Sequence, residues 1–208
     1  MGLASTAEAE LLDRAFAVYD TVSHLSWLKD ANYAQTSGYV ADGRMDWNNA
    51  NGWATGLTVG GFTGWRLPTT LQLDATCSGS FDAGSPYGVQ SGGFSCTGSE
   101  LGNLFYNGLG GTAGQSIANP AYHNANYDLF TNIQSSAYWS GTEYAPDPSY
   151  AWGFGTDNGS QYYDYKDYNY YAWAVRSGDV AAVPEPGVMG LLGIGALAWA
   201  GTRARRRG

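Results

Sequence analysis

An α+β domain is what the sequence predicts for most of this chain, on three observations. Residues 137–176 alternate aromatic with small or polar residues around Asp, Asn and Gly turn formers, the period-2 pattern of antiparallel strands with one wet face. Two earlier stretches, 46–57 and 99–109, carry apolar residues at helical spacing. Long connections rich in Gly, Ser and Asn run between them. A hairpin, short helices, long loops and then a meander is the order of an α+β domain, not of alternating βαβ units.

The first element expected is a hairpin over residues 15–28. Ala17, Val18 and Tyr19, then Leu25 and Trp27, flank a turn at residues 21–24. Asp46 is placed to cap a helix whose Trp47, Ala50, Trp53, Ala54 and Leu57 share one face. Pro68 ends the extended run that follows, and Thr69 or Thr70 is placed to cap a short helix through Leu73. Ser99 opens a further helix with Leu101, Leu104, Phe105 and Leu109 as its core stripe and Gly110-Gly111 as its stop. Residues 112–136 read as irregular. Strands are expected at 137–144, 150–156, 160–165 and 170–176, with Asn158-Gly159 favouring a type I′ turn between the second and third.

Composition narrows the function. The chain has 208 residues, 18 acidic and 10 basic side chains and a net charge of −8. An acidic surface argues against nucleic acid, which needs a basic face to displace counterions. A 44% hydrophobic fraction supports a real core and argues against wholesale disorder. Only 13% of residues are charged, whereas 15% are aromatic and 30 are glycine. That mixture suits an exported, loop-rich protein or a binding surface, because Tyr and Trp give contact area at low entropy cost.

Cys77 and Cys96 are the only cysteines, and a Gly/Ser-rich loop separates them. In an exported chain an isolated pair reads first as a disulfide, then as two free thiols, and last as metal ligands. His24 and His123 stand far away in sequence and complete no ligand motif. No metal and no cofactor is expected.

Both ends differ from the body. Met1 to Ala9 reads as the remnant of a signal peptide, with Ala7-Glu8-Ala9 as a small-x-small cleavage site, or else as a plain polar leader. At the other end stands Pro184-Glu185-Pro186, then an uncharged stretch over 187–202, then Arg203, Arg205, Arg206 and Arg207. Sixteen residues make a helix of about 24 Å, a little short of the roughly 30 Å hydrocarbon core. Trp199 falls where an interfacial aromatic belongs, and the arginines suit the cytoplasmic side of an inner membrane. A buried core helix is the bland alternative. This three-part segment, residues 181–208, resembles a PEP-CTERM sorting signal. The resemblance implies export in a Gram-negative bacterium, transient anchoring through a transmembrane helix, recognition by an exosortase, and release to the cell surface or an extracellular matrix.

Three phrases in the body, residues 10–180, resemble the Lcl C-terminal domain family. They are Trp65-Arg66-Leu67-Pro68-Thr69, Tyr138-Trp139-Ser140-Gly141-Thr142 and Ala172-Trp173-Ala174-Val175-Arg176. The resemblance implies a C-type-lectin-like fold of two or three short helices with an antiparallel sheet and long loops, and a role in glycan binding and surface adhesion. It carries over no oxidase chemistry of the related formylglycine-generating enzyme, because both cysteines sit in one Gly/Ser-rich loop. It carries over no calcium-dependent sugar site either, because the C-type-lectin tripeptides do not occur; residues 143–148 read EYAPDP.

For function, nine of the 16 tyrosines lie between Tyr138 and Tyr171, interleaved with Asp and Asn. Sugars offer apolar C–H faces to aromatic rings and hydroxyls to polar side chains. Tyr144, Asp157, Asn158, Tyr163, Tyr165, Asp167 and Tyr168 are the candidate ligand residues, although alternate tyrosines of a strand face opposite ways and half must pack inward. The expectation is a non-enzymatic exported protein that binds extracellular polysaccharide. The alternatives are an enzyme using paired carboxylates drawn from Asp147, Asp157, Asp164 and Asp167, or a purely structural surface protein. No Gly-x-Ser-x-Gly or Cys–His set supports other hydrolytic chemistry. The net charge divides unevenly: residues 1–183 hold 17 acidic and 6 basic groups, so the exported part is more acidic than the whole.

Overall fold

The computed structural model describes residues 10–181. The sorting segment with Pro184, Glu185, Pro186 and the four arginines, the span 187–202 and the leader 1–9 lie outside the described residues. Among the described residues no helix is long and apolar enough to cross a membrane.

The N-terminal apolar clusters form three antiparallel strands, β1 (Leu11–Arg14), β2 (Ala17–Asp20) and β3 (Leu25–Leu28). The expected hairpin is therefore β2–β3. Strand β1 adds a partner upstream that its single fully buried residue, Leu11, did not announce. After a one-turn helix α1 (Tyr33–Thr36) and the two-residue strand β4 (Arg44–Met45) comes α2 (Trp47–Gly56). Asp46 caps it as expected, its carboxylate accepting from the Asn49 amide, and Ala50, Trp53 and Ala54 are its buried face.

The short helix from Thr69 or Thr70 through Leu73 does not form. The amides there are claimed from elsewhere: Thr70 N–H donates to Thr142 Oγ1, Leu71 N–H to Ser99 Oγ and Asp74 N–H to Ser91 Oγ. Leu71 and Leu73 are exposed, so no apolar face drives a helix. The Cys77–Cys96 disulfide is formed. The loop it closes is not structureless, because β5 (Gly79–Asp82) and β6 (Val89–Gly92) pair within it as a two-stranded hairpin. Every β5 side chain is exposed, which leaves no buried/polar alternation to read.

Helix α3 (Glu100–Asn103) runs on into a π-helical turn at Leu104–Gly108. Its expected stripe of Leu101, Leu104, Phe105 and Leu109 is fully buried. Residues 112–136 hold only two short 3-10 turns and lean on the sheet through Ile117 N–H to Thr156 O and Gly114 N–H to Asn158 O.

Strands β7 (Ala137–Glu143), β8 (Tyr150–Gly155) and β9 (Ser160–Tyr165) form the expected antiparallel meander. The β8–β9 turn departs from type I′. It spans four residues, 156–159, and the Gly159 N–H returns to Gly155 O. Only Gly159 takes positive φ, +79°, while type I′ needs two such residues. The expected fourth strand, 170–176, divides. β10 (Tyr170–Tyr171) lies parallel to β7 and antiparallel to β4, and β11 (Val175–Ser177) joins β3. The result is a five-stranded sheet, β4-β10-β7-β8-β9, and a four-stranded sheet, β1-β2-β3-β11. Trp173, between β10 and β11, packs edge-on against Trp27 and Phe130 and tilts against Tyr138, so one indole joins both sheets. The fold is α+β.

Candidate functional site

The register of β8 on β9 decides which tyrosines share a face. Tyr150 pairs with Tyr165, Trp152 with Tyr163 and Phe154 with Gln161. Tyr162 and Asp164 face the other way, where Tyr170 donates its hydroxyl to Asp164 Oδ2 at 2.6 Å. Burial pushes the Tyr162 phenol up to about 12, and it raises Tyr170 as well. Alternation thus turns the Tyr162 and Tyr170 rings away from the face that carries Tyr163 and Tyr165.

On the first face the rings form a ladder. Tyr144, just beyond β7, stacks flat on Tyr163, with centroids 4.0 Å apart and planes 7° apart. Both meet Trp152 edge-on, at 5.7 and 5.6 Å. Tyr150 follows and packs on Tyr165 at 4.1 Å. The Tyr165 hydroxyl, together with burial, raises Tyr150 to about 12. Tyr168 stands beside Tyr165 at 6.0 Å. Trp152 is 1% exposed and forms the floor, whereas Tyr163, Tyr165 and Tyr168 are 37%, 45% and 49% exposed.

Two hollows open along this ladder. The first is an apolar groove of about 310 Å³ between the β5–β6 hairpin and the edge strand β9, with Phe81, Trp152 and Tyr163 as its rings. Phe81 reaches over from β5 to within 5.9 Å of Tyr163 and 6.4 Å of Tyr144. The hairpin is held in place where Gly93 and Gln161 exchange both backbone hydrogen bonds. The second is a polar cleft of about 630 Å³ lined by Asp46, Asn48, Asn49, Ser149, Tyr165, Lys166 and Asp167. It exists because the turn after β9 is tied to two neighbours: Trp47 N–H donates to Lys166 O and Lys166 N–H to Ser149 O. Lys166 Nζ is paired with Glu143 and lies 4.2 Å over the Trp47 ring.

Of the seven candidate residues, five gather here: Tyr144, Tyr163, Tyr165, Asp167 and Tyr168. Asp157 and Asn158 do not. They occupy the turn at the opposite end of β8–β9, a strand length of roughly 17 Å away. Asn158 serves that turn, its carboxamide oxygen accepting from the Ser160 amide and hydroxyl. Sequence reading missed Phe81, Trp152 and Tyr150 on the apolar side, and Asp46, Asn48, Asn49, Ser149 and Lys166 on the polar side. The Tyr150/Trp152 alternation was a usable signal; the approach of residues 46–49 and Phe81 is tertiary and left none.

Of the carboxylates proposed for catalysis, Asp147 and Asp164 are engaged locally. Asp147 accepts from Ser149 N–H, and Asp164 from Tyr165 N–H and the Tyr170 hydroxyl. Asp157 lies at the far turn. Asp46 does line the cleft with Asp167, but both its oxygens hold Asn49. Asp74 approaches the cysteines, but both sulfurs are in the disulfide. Its carboxylate instead staples the loop, accepting from the Thr76 amide and hydroxyl and the Gly98 amide.

The three quoted phrases turn out to hold the domain together. Gly141 N–H donates to Pro68 O, so the first phrase is bonded to the second. Arg66 and Val175 exchange both backbone hydrogen bonds, so it is bonded to the third. Arg66 also forks onto Glu100, both contacts at 2.7 Å, and Glu100 accepts from Thr69 N–H.

No curated protein and no solved structure matches the chain. The PEP-CTERM protein-sorting motif matches residues 182–207, and it implies recognition by an exosortase and export to the surface. The Lcl C-terminal domain model matches residues 16–176, which contain all three phrases, both sheets' central strands and both hollows. This chain belongs to the Lcl C-terminal domain family and carries a PEP-CTERM sorting motif at its C-terminal end.

Proposed function

We propose that the domain is a non-enzymatic polysaccharide-binding module, sorted by an exosortase to the surface or matrix of a Gram-negative cell, with the aromatic ladder as its contact surface. The observation that carries the reading is the ladder itself: stacked, part-exposed tyrosines over a buried indole, opening onto an apolar groove on one side and a polar cleft on the other. Rings fixed by their neighbours lose little entropy when a sugar face settles on them. The family's association with glycans and a C-type-lectin-like fold agrees with this placement. The engagement of Asp147, Asp164 and Asp46 in turns and caps favours binding over hydrolysis.

A glycan array probed with the whole chain in detergent, with and without calcium, tests the reading. The expected result is a restricted set of polysaccharide hits that calcium does not alter. An array with no hits overturns it. Release of reducing ends from a bound polysaccharide, abolished in Asp167→Asn, would favour the enzymatic alternative.

A further inference from the structure

Resting on that reading, we infer that the ligand is an uncharged polysaccharide bound across two adjoining subsites, the apolar groove at Phe81–Trp152–Tyr163 and the polar cleft at Asn48–Tyr165–Asp167. Two observations specify it.

The first is the state of the basic residues. Residues 10–181 hold six Lys or Arg against sixteen Asp or Glu. Five of the six are already ion-paired: Arg14 with Asp179, Lys29 with Asp13, Arg44 with Asp42, Arg66 with Glu100 and Lys166 with Glu143. The sixth, Arg176, is in β11 of the other sheet and lies over the Phe62 ring. Thus the one cation at the cleft, Lys166, is neutralised within the protein, while Asp46 and Asp167 line the same cleft. A sulfate or uronate there would lose its hydration, meet like charge and find no unpaired cation among the residues that line the cleft. Hydroxyls meet no such penalty, because the exposed carboxamides and carboxylates accept or donate to them.

The second is adjacency. Tyr163 belongs to the groove and Tyr165 to the cleft. They are two residues apart on one face of β9, hence about 7 Å apart along the strand. The hollows are neighbours on one track, and each falls within or near the roughly 300–1,000 Å³ range of small-ligand sites. Their chemistry is complementary: the groove receives a C–H face and the cleft receives hydroxyls. A short oligosaccharide fills one subsite, and a longer one fills both, which links the second contact to the first at high effective concentration.

The test is affinity electrophoresis of the whole chain in detergent through gels containing β-glucan, xylan, galactomannan or dextran, and through gels containing heparin or dextran sulfate. Calorimetry then follows oligomers of two to eight units of whichever neutral glycan retards the chain. Retardation by a neutral polysaccharide, insensitive to salt, and a rise in affinity of at least tenfold between two units and six are expected. Phe81→Ala and Asn48→Ala should each weaken six-unit binding about tenfold and bring it toward the two-unit value. Retardation only by heparin or dextran sulfate, abolished by salt, overturns the uncharged ligand while leaving glycan binding intact. Equal affinity for two and six units overturns the paired subsites alone. Retardation by no glycan overturns this inference together with the reading beneath it. A circular-dichroism melt of each variant, unchanged from the parent, ensures that a loss belongs to the surface.

Discussion

Glu100 shows how a single side chain can set the frame of the site without touching it. Its two oxygens take the Arg66 fork, and one also takes the Thr69 amide. The pair is only partly exposed, 33% and 19% by side chain, so it exceeds a surface ion pair in value. Glu100→Gln should destabilise the domain by about 2 kcal/mol, and Arg66→Lys by about 1 kcal/mol because an ammonium cannot fork. Urea unfolding at neutral pH measures both; losses below about 0.5 kcal/mol would place the pair with ordinary surface contacts. None of this was legible beforehand. The phrase containing Arg66 was recognisable, yet its partner 34 positions on is visible only in three dimensions. Asn158 is the reverse case. It was selected for its polarity among tyrosines, and its own turn consumes it.

Helices and strands were legible where one face is buried and periodic. The α2 stripe, the Leu101–Leu109 stripe and the β8 alternation all fall as their spacing indicates. Elements without that contrast were not. The β5–β6 hairpin is exposed on every side chain of β5 and is held instead by backbone pairing, the disulfide and Asp74. The 69–73 stretch carried a capping residue and leucines but lost its amides to side chains of three other segments. Closure of the cystine loop contributes roughly 3 kcal/mol in the chain-entropy model, so Cys77→Ser with Cys96→Ser should lower stability by about that amount. It should also speed amide exchange in residues 79–92 before the main sheet; uniform exchange would mean that the hairpin stands without its clasp. Gly102 marks the closest approach of α3 to this loop. A Cβ there would lie 2.0 Å from the Cys96 carbonyl oxygen, and the backbone oxygen cannot give way. Gly102→Ala should therefore cost about 3 kcal/mol, and a neutral substitution would contradict the packing.

At the scale of the molecule, one acidic, tyrosine-rich domain is joined to a basic sorting segment. The division was legible in the sequence because charge changes sign at the junction, while the crossing of the chain from β10 into the second sheet was not. The tyrosines give the whole domain an alkaline limit. Burial raises the Tyr162 phenol from 10.0 to about 12 and raises Tyr138 and Tyr170 too. The folded state then keeps protons that the unfolded chain releases, so stability is full below pH 10 and falls between pH 10 and 12. The urea midpoint should decline across that window, and less steeply in Tyr162→Phe; a midpoint that does not move would contradict the burial of these rings.

On the proposed function, the exposed end of the aromatic ladder holds glycan. Tyr165 tests it best, since it is 45% exposed and its loss leaves the Tyr144–Tyr163 stack in place. The measurement is the retardation of Tyr165→Ala by the neutral polysaccharide that retards the parent chain. A loss of most of the retardation at an unchanged melting temperature is the expected result. Full retardation of the variant would rule out the ladder as the contact surface.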